Sequence, residues 1–247
     1  MRPFELLTAA AQDVRFASRM LRRNPGFTAV AVLTLGLGIG AGAAVFSVVE
    51  SVLLRQPALG DPDRLVMLWL DDHEHGFPRD EWSYPRFADT RRFSASLAGA
   101  AGFEQQSFVL TGSEEPEQLS GVAASANLFS VLGVHAALGR TFFESEDVPG
   151  NGRVVVLGHD LWVRRFGADP AVVGRRLQLN SQPYVVIGVM PASFVFPERR
   201  EELWVPLALD AARRANRDAI WLSVVGRLRP GTGLAQATAE LNALNRR

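Results

Sequence analysis

Between Gly26 and Val49 stand 24 consecutive residues without a charge, GFTAVAVLTLGLGIGAGAAVFSVV. As a helix rising about 1.5 Å per residue, this run would extend about 36 Å and cross a hydrocarbon core of about 30 Å. A buried helix of a water-soluble protein rarely needs so long an uncharged stretch, so the run predicts one membrane-spanning helix over residues 26–54. The flanks agree. Arg2, Arg15, Arg19, Arg22 and Arg23 precede the run against only Glu5 and Asp13, leaving +3, whereas the 21 arginines and 24 acids beyond it leave −3. The bias of basic residues toward the cytoplasm then predicts a cytoplasmic N-terminus in the inner (plasma) membrane, with everything after residue 50 outside.

Residues 1–25 carry their own pattern. Phe4, Leu7, Ala11, Val14 and Leu21 recur at a spacing of three or four, as do Thr8, Gln12, Arg15, Arg19 and Arg22. Together they predict a cytoplasmic amphipathic helix whose arginine face suits an anionic lipid surface. Asn24-Pro25-Gly26 breaks that helix and turns the chain into the bilayer.

The glycines of the apolar run admit more than one reading. Gly36-Leu37-Gly38-Ile39-Gly40-Ala41 satisfies a dinucleotide-binding fingerprint, in which glycines let the backbone approach a pyrophosphate. That reading would make the chain a nicotinamide-dependent enzyme, but the regular strand–helix alternation it requires does not follow. The same residues place Gly36 with Gly40, and Gly38 with Gly42, on a helix face narrow enough to pack against another spanning helix. A cleaved signal peptide ending near Ala41-Gly42-Ala43 would need an unusually long leader and apolar core, so the expectation is an uncleaved anchor.

Composition narrows the chemistry. Twenty-six basic and 26 acidic residues give zero formal net charge, which disfavours a nucleic-acid partner because binding one needs a basic face to displace counterions. Every basic residue is arginine. Without lysine the chain cannot be a phosphate-loop NTPase, a Schiff-base enzyme or a protein kinase. Without cysteine it has no disulfide, thiol nucleophile or cysteine–zinc site.

Beyond Glu50 the pattern is α+β. Short apolar or alternating runs predict strands at residues 65–70, 106–111, 119–124, 153–157, 176–179, 184–189 and 220–228. Helices are expected at 84–93 with Ser83 as cap, after Asn127 with a stop at Gly133, at 159–166 with a stop at Gly167, and at 234–244. Asn180-Ser181 reads as a hairpin turn. The larger aromatics, Trp69, Phe103, Phe108, Phe129, Phe142, Trp162, Phe166, Phe194, Trp204 and Trp221, read as core.

No catalytic or metal constellation stands out. His73 and His75, with Asp71, Asp72, Glu74, Asp80 and Glu81, offer ligand types zinc accepts, but so local a cluster reads better as a solvated loop. His159 and Asp160 read as the opening of a helix. Glu144, Glu146 and Asp147 resemble part of a calcium loop without its ligand spacing. The expectation is a non-enzymatic protein with no catalytic residue, no metal and no cofactor.

The order of segments resembles the MacB-like periplasmic core domain with its preceding transmembrane helix, of the FtsX-like ABC-permease superfamily, in particular the duplicated permeases of Acidobacteria. The residues that carry the resemblance are MLRRNPGFTAVAVLTLGLGIGAGAAVFSVVESVLLR (20–55), SYPRF (83–87), LFSVLGV (128–134), LGRTF (138–142), VVVLGHDLWVRRFGADPAVVGRRLQLNSQPYVVIGVMP (154–191), FVFP (194–197) and VVGRLRPG (224–231). The family pattern has an Asn near Gly42 and Leu-Pro where Gln56-Pro57 stands; neither departure alters the topology. The resemblance implies a two-lobed extracytoplasmic domain over residues 55–247, moved by a separate cytoplasmic ATPase that alone binds ATP. It also implies partnership with the remaining permease helices or a second permease copy. Because the sequence closes at Arg247 before another apolar run, it reads as a truncated permease, a gene fragment or half of a split system. A membrane-anchored envelope adaptor without transport is the alternative expectation.

Overall fold

The computed structural model describes residues 19–49, 59–72, 77–112 and 115–245. By backbone proximity the chain divides into two compact units, residues 1–56 and 57–247.

In the first unit, residues 19–23 are helical and the helix breaks at Asn24. Helix α1 follows over Pro25–Val49. Proline suits this first position, where its missing N–H costs nothing. The Thr28 hydroxyl bridges the break, donating to Leu21 O at 2.7 Å and standing 3.0 Å from Asn24 O. Thr34 returns its hydroxyl proton to Val30 O at 2.8 Å, so the helix satisfies that polar group internally, as hydrocarbon surroundings demand. The apolar side chains of α1 point outward all round: Val30, Leu33, Leu35, Leu37 and Ile39 are each more than 60% exposed. Among the described residues α1 is the one helix long and apolar enough to cross a membrane. The amphipathic helix expected over residues 1–25 lies outside the described residues up to residue 18.

The second unit is built on a long strand. Strand β4 (Leu97–Thr111) pairs through its first half with β11 (Ser223–Leu228) and along residues 103–110 with β5 (Glu117–Ala124). Outside β11 lies the edge strand β1 (Leu65–Leu68). Beyond β5 come β10 (Leu203–Pro206), β7 (Val154–Leu157), β9 (Gln182–Val189) and the two-residue β6 (Leu138–Gly139). Two pairings, β5–β10 and β7–β9, are parallel and the others antiparallel. Strand β8 (Arg176–Leu179) pairs with both β9 and the far end of β4. That double pairing closes β4, β5, β10, β7, β9 and β8 into a ring, while β1, β11 and the start of β4 extend from it as a layered lobe. The residues β2 (Leu70–Asp72) and β3 (Phe77–Asp80) form a separate two-stranded sheet.

Alternate residues of each strand face opposite sides, and the two sides carry separate cores. One holds Phe108, Leu119, Val155, Leu157, Leu179, Val186 and Leu203; toward the layered lobe it continues into Trp82, Phe87, Leu222 and Val224. Helices α2 (Tyr84–Phe93) and α6 (Leu234–Asn245) supply Phe87, Ala237 and Leu241 to that side. The other core holds Phe103, Val156, Phe194, Trp204 and Val225 with the buried face of α3 (Leu128–Leu132).

Most sequence-predicted elements stand close to where expected; four local readings are corrected. Ser83 does not cap α2 through its side chain: its hydroxyl is buried without a partner, and its carbonyl accepts from Phe87 N. Asn127 stands at the N-cap position of α3 but does not cap it through its side chain, which donates to Ala100 O at 2.8 Å and accepts from Ser125 Oγ at 2.8 Å, tying the loop to β4. Trp69 is 44% exposed rather than core, and Trp162, Phe166 and Trp221 are only partly buried. Trp82 takes the interior position instead, donating its indole N–H to Leu68 O at 2.7 Å. Strand β4 begins nine residues earlier than the alternation from Gln106 indicates, because Leu97 to Phe103 read as a helix-compatible run of small residues.

Candidate functional site: the entry of the chain into the domain

The first residues described after the apolar unit, 59–61, dock against the C-terminus of α3. Gly60 N donates to Leu132 O at 3.0 Å. A Cβ on Gly60 would lie 2.8 Å from Gly133 O, so only glycine permits the backbones to come this close. Gly133 itself ends α3 in the left-handed conformation, φ 66°.

Arg227 of β11 spans this contact. Its Nε donates to Val131 O at 2.6 Å, one Nη to Asp61 O at 3.2 Å and the other Nη to Gly60 O. Burial, then the neighbouring Arg64 guanidinium, pull its pKa down from the ordinary arginine value; Asp61 opposes them. Arg64 adds a parallel tie, donating from Nε to Leu228 O at 2.9 Å. Four donors therefore lock residues 60–64 to α3 and β11 before the edge strand β1 begins, and the Arg227 Nε bond ties β11 to α3 beside them. Sequence reading missed these residues individually. The available signal was an arginine placed inside the apolar alternation of VVGRLRPG (224–231).

At the other end of β4, about 45 Å along the strand at about 3.3 Å per residue, lies an open cleft of about 730 Å³. Arg165 and Phe166 from the last turn of α4 (His159–Phe166), Arg175, Arg176 and Glu115 line it. Arg175 lies over the Phe166 ring, 5.7 Å from its centroid. The closure of the ring explains why these groups meet: Asn180 and Ser181 hold positive φ angles of 51° and 61° in the β8–β9 turn. The Asn180 side chain also accepts from Val109 N at 2.8 Å, pinning the turn to β4.

The residues singled out in sequence take other roles. His159 and Asp160 open α4, with Nδ1 and Oδ1 3.4 Å apart, and the Asp160 side chain is 91% exposed. The acids of FFESED are consumed internally. Glu146 receives both Nη groups of Arg140 at 2.9 and 2.7 Å and the amide of Phe143 at 2.8 Å. Burial raises its pKa, but the Arg140 and Phe143 hydrogen bonds outweigh burial and the net shift is downward. Asp147 accepts from Ala208 N at 2.8 Å and Ala126 N at 3.4 Å; its burial dominates and raises its pKa. Glu144 faces Arg91 at 3.3 Å. His73, Glu74 and His75 lie outside the described residues, as do the side chains of Asp71 and Asp72. Among the described residues no group of three or more metal-ligating side chains converges.

The dinucleotide reading of Gly36 to Ala41 is corrected. All six residues lie inside the uninterrupted helix α1, whereas the fingerprint needs a strand before the glycines and a helix starting within them. The absent turn also leaves no helix N-terminus there to face a pyrophosphate. No atom of the described residues lies within 4 Å of a Cβ built on Gly36, Gly38, Gly40 or Gly42.

A mixed sheet flanked by short helices, with one apolar helix ahead of it that is a candidate membrane span, defines the class of domain to which the fold belongs. The family pattern of MacB-like periplasmic core domains matches residues 28–244, and the chain belongs to that family. Its fold is similar to the extracellular domain of the noncanonic ABC-type transporter YknZ from Gram-positive bacteria. That likeness has a TM-score of 0.53 and 16% identity, covering 74% of this chain and 91% of that one. It is also similar to the periplasmic region of MacB from Actinobacillus actinomycetemcomitans (TM-score 0.54, 18% identity, 74% of this chain and 81% of that one). No curated protein sequence matches.

Proposed function

We propose that the chain is a non-catalytic permease subunit, or part of one, of an ABC-type export or mechanotransmission system. Helix α1 crosses the inner membrane with its N-terminus in the cytoplasm, and residues 55–247 work outside. The domain binds no cofactor; ATP is hydrolysed by a separate cytoplasmic ABC ATPase. The open face at Gly36, Gly38, Gly40 and Gly42 packs against the remaining permease helices or a second copy, since small residues allow close backbone approach where lipid offers no hydrophobic drive.

The observation that carries this reading is the seat of residues 60–64 in the domain. These residues are bonded to α3 and β11 through four donors. A firm seat where the chain enters the domain suits the relay of motion. The arginine-lined cleft offers the other end of the domain to acidic partners.

Two measurements test the reading. The chain has no cysteine, so a single Asp160→Cys reports topology cleanly: a membrane-impermeant maleimide should label it in intact cells with the outer envelope permeabilised. Labelling only after the inner membrane is opened would refute the topology. An ABC ATPase subunit should also co-purify in mild detergent; its consistent absence from extracts of the native host would favour the adaptor.

A further inference from the structure

Strand β1 presents a mechanical problem. It is four residues long, lies at the sheet edge and, among the described strands, pairs with β11 alone, Leu65 opposite Arg227 and Leu68 opposite Val224. Tension from the upstream chain would reach this pair at the Leu65 end. An antiparallel pair loaded from one end opens bond by bond, and each backbone hydrogen bond contributes little net resistance by itself. Without another tie, the first pull would peel β1 away and leave the domain behind.

The geometry points to Arg227 as the residue that intercepts this load. Its guanidinium holds Gly60 O and Asp61 O, both upstream of β1, and Val131 O of α3. These bonds lie side by side and must break together rather than in sequence. Charge-assisted donors make them stronger than the ladder they protect. The load then passes into α3, whose Leu128, Phe129 and Leu132 are at most 1% exposed. Phe129 stacks near Phe142, at 5.3 Å between centroids, and near Trp204 of β10, at 6.3 Å. Tension entering at Gly60 thus bypasses the weak edge and reaches the second core directly. Arg227 is a positioning residue for the relay proposed above, and this inference rests on that reading for its purpose but not for its measurement.

Force spectroscopy on the full chain in detergent tests it, with handles on introduced Pro57→Cys and Arg176→Cys. In this background the domain should resist as one unit, without an early short extension. Arg227→Gln should add an early event releasing residues 59–68, roughly 35 Å of chain at about 3.5 Å per residue. Its first-rupture force should fall about twofold. Arg227→Lys, with a single ammonium in place of the fork, should fall between. The thermal midpoint separates this from general damage, since a lost load path moves rupture force far more than melting. If Arg227→Gln does not fold, Gly60→Ala keeps the guanidinium but forces the backbones apart and should give the same early event. An unchanged first-rupture force in the folded variant, or the early event already present in the background chain, overturns the inference. No ATPase takes part, so this failure would leave the relay reading open to another joint. Failure to find an ATPase partner would leave the force result intact.

Discussion

Leu35 in α1 is 64% exposed and Leu203 in β10 is completely buried. The side chain is the same; the intended solvent differs. In the domain, central strands such as β7 and β10 are apolar at successive positions because each has two cores to fill, and both cores are closed by other parts of the same chain. In α1 the apolar residues run round the whole helix, and the described residues leave them exposed. A helix apolar on every side is the pattern of a candidate membrane span rather than of a surface helix of a globular domain.

This contrast can be broken or sharpened by substitution. The largest effect is expected in the domain: Trp204→Ala should lower unfolding stability by about 3–5 kcal/mol, read by thermal or denaturant unfolding of the full chain in detergent. The indole is 2% exposed, packs near Phe129 and Phe194, and donates to Phe196 O at 3.2 Å. A neutral outcome would show that the second core is not closed as described.

Leu35→Arg should next cost about 2.5–3.5 kcal/mol of membrane insertion, read as loss from the carbonate-resistant membrane pellet, while the domain's melting stays unchanged. Undiminished retention would place the span elsewhere. Trp162→Ala should cost about 1–2 kcal/mol, well below Trp204→Ala, because its ring is only partly buried although its N–H reaches Asp169 O at 2.9 Å. Equal losses at the two tryptophans would erase the distinction between them.

The smallest effect is one of pH. The Glu146 pKa is lowered on folding, so the charged form is favoured by the native state. Its contribution is fully present above the unfolded value near 4.5 and is lost as pH falls through the lower folded value. Glu146→Gln should therefore be less stable than wild type at neutral pH, and the gap should narrow below about pH 4.5. A gap independent of pH would mean that the Arg140 pairing contributes nothing as a charge interaction.

The hairpin at Asn180-Ser181, the helix ended by Gly167 and the helix over Tyr84–Phe93 were legible because their signals are local: a turn dipeptide, a left-handed glycine and a spaced apolar face. Asn127 and Ser83 misled for the complementary reason. A side chain at a cap position has other partners available in three dimensions, and Asn127 takes Ala100 O and Ser125 Oγ. Trp69 and Trp82 show the same limit, since hydrophobicity alone does not tell which of two nearby indoles a β-edge leaves outside. The chain's entry into the domain was the least legible part. Arg227 and Gly60 are 167 residues apart and meet only because β1 pairs with β11.

By itself the sequence determined the α+β composition, most element positions, the apolar span and the exclusion of lysine- and cysteine-dependent chemistry. Each of these depends on neighbours within a few residues or on which side chains exist at all. Tertiary structure alone decided the ring closed by β8, the separation of two cores across one sheet, the internal use of the FFESED acids, and the guanidinium lock on residues 60–64. Those arrangements depend on contacts between segments far apart in sequence, which form only when the strands have found their order.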